Sequence, residues 1–297
     1  MDRGRPLTAD MQVSELQLTV HADAVSFLEA ARSFLMISPA ETSIISLPAA
    51  RMAESPQPED VHAYHATVSI DGGVVAAASC LPRGGVLLTP GPDAAFTLLA
   101  RDIARTHRPE GIAGPRSACM AFTDEWQRCV GEAWLPRFEL RHFALRKPPR
   151  AVRSRGAMRR ATVRDRRLLI DWQLAFNTEV GLPETRERLA VMVARRITRG
   201  ELYVWVDGGR VAFAGFRDSQ FAPIARIAPV YTPPSGRGRG YATALVSAMC
   251  GMLLRNGKDE IFLTTDLANP VSNRVYVNIG FEPAADHVHL SFDRKTR

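Results

Sequence analysis

The sequence lacks any run of 18 or more apolar residues, although 46% of its 297 residues are hydrophobic. It therefore offers no segment long enough to cross a membrane as a helix. The first twenty residues, MDRGRPLTADMQVSELQLTV, also lack the apolar stretch of a signal peptide. These absences predict a soluble, cytoplasmic protein with no membrane partner, and its length favours two domains.

Cysteine is scarce as well, and no CxxC spacing occurs. The four cysteines are Cys80, Cys119, Cys129 and Cys250, and each lies inside an apolar segment. This pattern disfavours a zinc site or a disulfide framework. We expect buried free thiols and no bound metal.

Positive charge is concentrated in one segment rather than spread over the chain. Residues 146–167 contain ten Lys or Arg and one acid, a local charge of +9, which leaves −2 of the formal +7 for all other residues. The segment contains Pro148 and Pro149 and no aromatic residue. It is typical of a solvated interdomain linker, and a nucleic-acid site is the less favoured alternative.

Two copies of one pattern follow each other along the chain. His65–Cys80 and Leu202–Phe216 each predict two strands joined by Asp-Gly-Gly, at an offset of 136 residues. In both copies a strand, a proline turn and a helix follow, and a terminal strand closes each copy. Three matches in the same order indicate two α/β modules, residues 1–148 and 157–297.

The elements predict an α/β (α+β) fold, with a mixed, mostly antiparallel sheet flanked by helices in each module. Asp23 is the expected cap of a first helix that ends at Leu35, and Gly200 is the expected end of a helix in the second half. The copies differ at one place. The first has only Pro-Gly-Pro between Thr89 and Asp93, where the second has the loop SGRGRG.

The stretch SGRGRGYATAL, residues 235–245, joins a predicted strand to a predicted helix. Backbone N–H groups at a helix start have no partner inside the helix, and glycine lets an anion approach them closely. Arg237 and Arg239 add positive charge. The loop has neither Gly-Lys-Ser/Thr nor GxGxxG, which disfavours a nucleoside triphosphate or a dinucleotide as the ligand.

With its neighbours the loop resembles the acyl-coenzyme A signature of the GNAT superfamily of N-acetyltransferases. Arg237 to Ala242 has the form Arg-x-x-Gly-x-Ala and follows VYTPP. A second signature of that family has Asn at its first position and Tyr at its eighth, then Gly-Phe. Asn269, Tyr276 and Gly280-Phe281 supply it about 30 residues later. The resemblance covers residues 158–292 well, and the first half only as a degenerate copy.

The resemblance implies acetyl-CoA as co-substrate. The pantetheine arm would bind the backbone of Val230, Tyr231 and Thr232 like an added strand. The diphosphate would bind the amides at the start of the following helix. The residues implied at that loop are Arg237, Gly238, Arg239, Gly240, Tyr241, Ala242 and Thr243, and Asn269 and Asn273 are implied as helix caps or cofactor contacts.

Tyr276 matches the position of the family's general acid, because a phenol is protonated at neutral pH and can donate to a departing thiolate. A core tyrosine that anchors a short helix is the structural alternative. Glu179, in the turn after the first helix of the second half, is a candidate base, and Asp266 is another. In many relatives water removes the proton instead.

We therefore expect an N-acetyltransferase that moves an acetyl group from acetyl-CoA to a primary amine of a small molecule or a peptide. A non-catalytic acyl-CoA sensor and an enzyme similar to mycothiol synthase are the alternatives, although NPVSNRVY is unlike the second. Oligomeric state stays open, a homodimer included. The first half is expected to serve as a structural partner or as a wall of the acceptor site.

Overall fold

The computed structural model describes residues 15–82, 84–152, 154–182, 184–218 and 223–293. The first half contains β1 (Gln17–His21), α1 (Ala24–Leu35), α2 (Pro39–Glu54), β2 (Tyr64–Ile70), β3 (Gly73–Leu81), β4 (Gly85–Leu88), α3 (Asp93–Thr106), β5 (Gly111–Pro115), α4 (Arg116–Val130) and β6 (Ala133–Leu145). The second half contains β7 (Ala157–Arg160), α5 (Arg166–Glu179), α6 (Arg186–Arg199), β8 (Leu202–Val206), β9 (Arg210–Asp218), β10 (Ile224–Tyr231), α7 (Tyr241–Arg255), β11 (Glu260–Asp266), α8 (Pro270–Ile279) and β12 (Glu282–Asp293).

The local predictions agree with these elements. Both Asp-Gly-Gly turns join antiparallel neighbours, β2 to β3 and β8 to β9. Asp23 caps α1, since its Oδ1 accepts the N–H of Ser26 at 2.8 Å. Gly200 ends α6 in the left-handed conformation, with φ of 72°. The helices α2 and α4 are additions that the sequence patterns did not reveal.

All twelve strands form one sheet in the order β1-β2-β3-β4-β5-β12-β6-β11-β10-β9-β8-β7. Only β4–β5 and β10–β11 run parallel among the described strand pairs, so the predicted mixed, mostly antiparallel sheet is confirmed. The last strands of the halves are exchanged. β6 of the first half lies beside β11, and β12 of the second half lies beside β5.

Helices cover both faces of the sheet. One face packs against α3 and α4 in the first half and against α7 and α8 in the second. The other face packs against α1 and α2 in the first half and against α5 and α6 in the second. On the sheet face that α2, α5 and α6 cover, Arg217 of β9, Arg226 of β10 and Thr264 of β11 lie next to each other, and we call this place the central cleft.

The basic segment 146–167 is a linker only in part, because its second portion forms β7 and the start of α5. The described residues between β6 and β7 form no helix or strand. Their backbone is tied to the second half, where the N–H of Arg150 bonds the carbonyl of Ile279 at 2.8 Å and the indole of Trp205 bonds the carbonyl of Arg155 at 2.8 Å. The expectation of four buried thiols was wrong at one position: Cys129, in the last turn of α4, is exposed, while the other three cysteines are buried. None of the described helices has the length and apolar character needed to span a bilayer.

Candidate active site

A gap opens between the two parallel strands of the second half. The strands β10 and β11 pair only from Ile224 opposite Glu260 to Arg226 opposite Phe262. Beyond that point β10 continues along β9 to Tyr231, and β11 continues along β6 to Asp266. The facing backbone edges, residues 227–231 and 263–266, have no strand partner in the gap. This is the place where the resemblance puts the pantetheine arm, at Val230, Tyr231 and Thr232.

A buried arginine holds the irregular part of β10. The register of β10 against β9 shifts between Ile227 and Val230. Arg196 of α6 is 4% exposed, and its Nη2 donates to the carbonyls of Phe216 and Ala228, both at 2.9 Å. Its Nε donates to Glu201 at 3.1 Å. Burial lowers the pKa of Arg196 to about 10, so the guanidinium stays charged at neutral pH.

Gly215 makes room for that guanidinium, because a Cβ at this position would overlap it. Sequence reasoning missed Arg196, although one signal was available. On α6 the buried positions Leu189, Val193 and Arg196 share one helical face. A charged residue on an apolar stripe points to a buried polar contact, and here that contact shapes the edge of the gap.

The glycines of the loop are needed for two different reasons. Gly236 lies close to the strands, since a Cβ there would be 3.2 Å from both the Thr232 side chain and the Val211 carbonyl. Gly238 and Gly240 both have φ of 76°, and a Cβ on either would meet no atom within 4 Å. The left-handed backbone at these two positions explains the choice of glycine. The open space beside them leaves the loop accessible to a ligand.

Helix α7 begins directly after this loop without a side-chain cap. Its N-cap residue is Gly240, and no side chain of the described residues accepts from its first turn. The amides of Gly240, Tyr241, Ala242 and Thr243 therefore have no acceptor within the helix. The Tyr241 hydroxyl donates to Asp207 at 2.7 Å, which ties the helix start to the β8–β9 turn. The residues present fit a diphosphate, which backbone amides and the helix dipole stabilise.

Arg237 lies beside the loop in an ion pair. Its Nη2 donates to both carboxylate oxygens of Glu179 at 2.7 Å, and its Nε donates to the carbonyl of Thr232 at 2.9 Å. The guanidinium carbon lies 5.7 Å from the centre of the Tyr231 ring. The bond to Glu179 raises the pKa of Arg237. The structure thus brings together three predicted cofactor residues and the candidate base, while Arg239, also exposed, is not part of this group.

Tyr276 is buried on α8 in the same apolar core as Ile227 and Leu263, which flank the gap. The rings of Phe143 and Phe281 lie 6.1 and 6.0 Å from its ring. Burial raises the pKa of its phenol to about 12, with a smaller contribution from the Cys250 thiol. Within the described part of the chain its oxygen makes no hydrogen bond. The phenol is therefore protonated at neutral pH and available as a donor.

The two asparagines of the second signature shape the start of α8. Asn269 is the N-cap, and its side chain accepts the N–H of Ser272 at 3.1 Å. The Nδ2 of Asn273 donates to the carbonyls of Asp266, Leu267 and Asn269. The carboxylate of Asp266 accepts the N–H of Ala268 at 2.8 Å, so it too stabilises this turn.

The equivalent place in the first half is closed. Helix α3 starts after Pro92, which has no N–H, and its first turn carries Asp93. A Cβ at Gly91 would collide with Ala76 and with the Val75 carbonyl, so this short turn is packed against β3. A proline and a carboxylate at a helix start disfavour an anion. The first half therefore lacks the features that make the second half a candidate site.

The second half matches a known protein family. The profile of the acetyltransferase (GNAT) family matches residues 167–281. An aminoglycoside N(6')-acetyltransferase type 1 from Serratia marcescens is 30% identical over 98 residues, which are 31% of this chain and 65% of that protein. The chain thus spans about two thirds of the length of this curated relative.

Solved structures match over nearly the whole chain. An acetyltransferase of the GNAT family from Colwellia psychrerythraea aligns with a TM-score of 0.60 and 15% identity, covering 94% of this chain and 100% of that one. A tandem GNAT protein from the clavulanic acid biosynthesis pathway aligns with a TM-score of 0.56 and 18% identity, covering 95% and 100%. At these identities the likeness establishes the tandem fold and nothing finer.

Proposed function

We propose that the protein moves an acetyl group from acetyl-CoA to a primary amine by direct transfer, because residues 167–281 match the profile of the acetyltransferase (GNAT) family. The active half is residues 157–297, and residues 1–148 form the degenerate first module. One observation carries the proposal: the uncapped, glycine-lined start of α7 lies at the open end of the β10–β11 gap.

In this proposal the amides of Gly238 to Thr243 bind the diphosphate, with Arg237 and Arg239 beside it. The edge of β10 at Val230, Tyr231 and Thr232 binds the pantetheine arm through its backbone. Most of the orientation comes from fixed amides, since an exposed arginine adds only a modest charge-assisted contact. The thioester then lies further into the gap, toward its closed end at Arg226.

Tyr276 is the proposed general acid. Its phenol is protonated, buried and free of hydrogen bonds to described residues, so it can donate to the sulfur as the thiolate leaves. We propose that the amine loses its proton to water. Glu179 is the carboxylate alternative, although its pairing with Arg237 places it near Tyr231, five residues along β10 from the closed end.

The acceptor is proposed only as a small-molecule or peptide amine. The relative named as an aminoglycoside acetyltransferase supports acetyl transfer as the reaction class. Transfer is tested by incubating the protein with acetyl-CoA and a panel of primary amines and measuring the release of free thiol. Amine-dependent release supports the proposal. Tight binding of acetyl-CoA with no release for any amine would favour the sensor alternative.

A further inference from the structure

The floor of the central cleft carries two arginines directly opposite each other. Arg226 of β10 pairs with Arg217 of β9, and partners in a sheet point to the same face. That face is the one covered by α2 and by α5 and α6, because Ile224, two residues before Arg226, packs with Ala40 of α2. Like charges at paired positions repel each other, so an anion between them would stabilise the arrangement.

Solvent reaches both arginines. Arg217 is exposed and Arg226 is partly exposed. Desolvation nevertheless lowers the pKa of both groups, that of Arg226 to about 10. Arg195 and Arg199 of α6 and Arg51 of α2 are further positive charges that lower the pKa of Arg217.

Neither arginine has a carboxylate partner within 4.0 Å among the described residues. Glu201 raises the pKa of Arg217 but pairs with Arg196 at 3.1 Å and with Arg199 at 3.9 Å. The four residues of the β9–β10 connection that lie outside the described ranges, 219–222, are Ser-Gln-Phe-Ala and contain no acid. The two positive charges on the floor are therefore left for a ligand.

Unpartnered polar atoms surround Arg226. Its Nη2 donates to the Thr264 hydroxyl of β11 at 3.1 Å, while its buried Nε has no acceptor among the described residues. On β6, His142 faces Thr264 in the ladder, and its Nδ1 is also buried without a partner. The rings of His287 and His142 are in contact at a tilted angle, with their centres 4.1 Å apart. Buried polar groups are normally satisfied, so this cluster is short of a partner.

The cluster lies at the closed end of the gap. Arg226 is the last residue of β10 that pairs with β11, and the gap begins with the next residue. The side chains of Arg226 and Thr264 lie on the α2 face, whereas Tyr276 packs with α7 on the opposite face. An amine approaching from the cleft would thus meet the thioester from the face opposite the acid.

We propose that the central cleft recognises an anionic group on the acceptor, so that the substrate is a small primary amine bearing a carboxylate or phosphate that pairs with Arg226 and Arg217. This inference rests on the proposed function and adds the substrate class to it. A polycationic amine is disfavoured, because Arg226 and Arg217 are both positive and further arginines of α2 and α6 act on Arg217.

The test compares matched acceptors on the unmodified protein with acetyl-CoA. One pair is an amino acid and its amide, another is an aminoalkyl phosphate and the corresponding amino alcohol, and a polyamine is the cationic arm. The anionic member of at least one pair is expected to have a kcat/KM about 10- to 100-fold higher, as for a charge-assisted contact. If the amino acid and its amide differ, the cleft recognises a carboxylate. If the aminoalkyl phosphate and the amino alcohol differ, it recognises a phosphate.

Substitutions test whether Arg226 and Arg217 cause the preference for an anionic acceptor. Arg226→Gln and Arg217→Gln are expected to raise the KM of the anionic acceptor about 10- to 100-fold and to leave that of its neutral partner unchanged. Arg226→Lys should retain part of the preference. Arg167→Gln, an exposed arginine of α5, is the matched control. Calorimetric titration with the N-acetylated anionic product gives a second readout that needs no turnover, with weaker binding expected in both Gln variants.

Equal kcat/KM for anionic and neutral acceptors, or a preference for the polyamine, would overturn the inference and leave the proposed function standing. An unchanged preference in Arg226→Gln and Arg217→Gln would also overturn it. Absence of acetyl-CoA binding to the unmodified protein would overturn the proposed function itself, and the inference with it.

Discussion

At the scale of single residues, the surroundings of Tyr276 are suited to a proton donor. Its pKa of about 12 means that the phenol stays protonated throughout the neutral range. Tyr276→Phe keeps the ring contacts with Phe143 and Phe281 and removes only the hydroxyl. We expect kcat to fall roughly 100- to 10,000-fold, as for loss of a general acid. The dissociation constant of acetyl-CoA should stay the same.

Tyr203→Phe is the control for that substitution, because Tyr203 lies on β8 against Phe216, away from the gap. Its kcat should match that of the unmodified protein. An equal loss of acetyl-CoA affinity and kcat in Tyr276→Phe would contradict the acid role and favour a structural tyrosine.

Glu179 is the ion-pair partner of Arg237 and also a candidate catalytic base, and one substitution distinguishes these two roles. Glu179→Gln removes the charge that pairs with Arg237. An exposed ion pair contributes at most about 1 kcal/mol, so release of Arg237 should tighten acetyl-CoA binding by up to about fivefold. We expect kcat to change less than about tenfold, since water takes the proton in our scheme. A pH–rate profile that loses its acidic limb, with a large fall in kcat, would instead establish Glu179 as the base.

The residues that sequence reasoning found are those with a fixed spacing along the chain. Gly238, Gly240 and Tyr276 each belong to a short signature whose physical basis is local. Arg226 and Arg217 became noticeable only through the register of β9 against β10. Such a juxtaposition depends on strands from separate parts of the chain, and no periodic pattern in the sequence records it.

At the scale of elements, the start of α7 is the feature that distinguishes the second half from the first. Gly240→Ala forces a residue with a Cβ into the left-handed conformation at a cost of about 1 to 2 kcal/mol. Its methyl group would also project into the space beside the uncapped amides. We expect a lower Tm and a clearly weaker acetyl-CoA affinity, measured by thermal unfolding and calorimetry.

Gly257→Ala supplies the matched control at the other end of α7. Gly257 has φ of 84°, and a Cβ there would also meet no atom within 4 Å. The two variants should lose similar stability, but only Gly240→Ala should lose affinity. Equal acetyl-CoA affinity in both would contradict the proposed diphosphate site.

Elements with strong turn signals were predictable, and those without were not. The two Asp-Gly-Gly hairpins and α7 follow from turn chemistry and apolar spacing. Helix α2 contains Pro48, and its buried side consists largely of Ala, Ser and Thr. Small side chains pack closely against a sheet without producing an apolar stripe. The spacing of apolar residues therefore did not predict α2.

At the scale of the whole molecule, the exchange of β6 and β12 joins the halves through backbone hydrogen bonds. The β6–β11 ladder alone pairs six residues, from Leu140 opposite Asp266 to Leu145 opposite Ile261. Residues 1–150 and 151–297, expressed together as separate chains, should therefore copurify as a one-to-one complex. Residues 1–132 lack β6 and should associate far more weakly with 151–297. Separate migration of the first pair on size-exclusion chromatography would contradict the exchange.

The repeat predicted two modules, but local patterns do not specify which half receives each terminal strand. The strands β6 and β12 resemble each other in sequence, and either one would bury similar side chains beside β11. The docking of the segment between the halves on α8 through Arg150 is a tertiary contact that composition does not reveal.

The central claim is that backbone amides at the start of α7 bind the diphosphate of acetyl-CoA while the β10 edge binds its arm. Amide hydrogen exchange, measured by mass spectrometry with and without acetyl-CoA, tests it most directly. We predict slower exchange in peptides covering residues 227–243 and no change in residues 86–97, the equivalent region of the first half. Unchanged exchange at residues 227–243 at a saturating concentration of acetyl-CoA, or protection confined to the first half, would contradict the account.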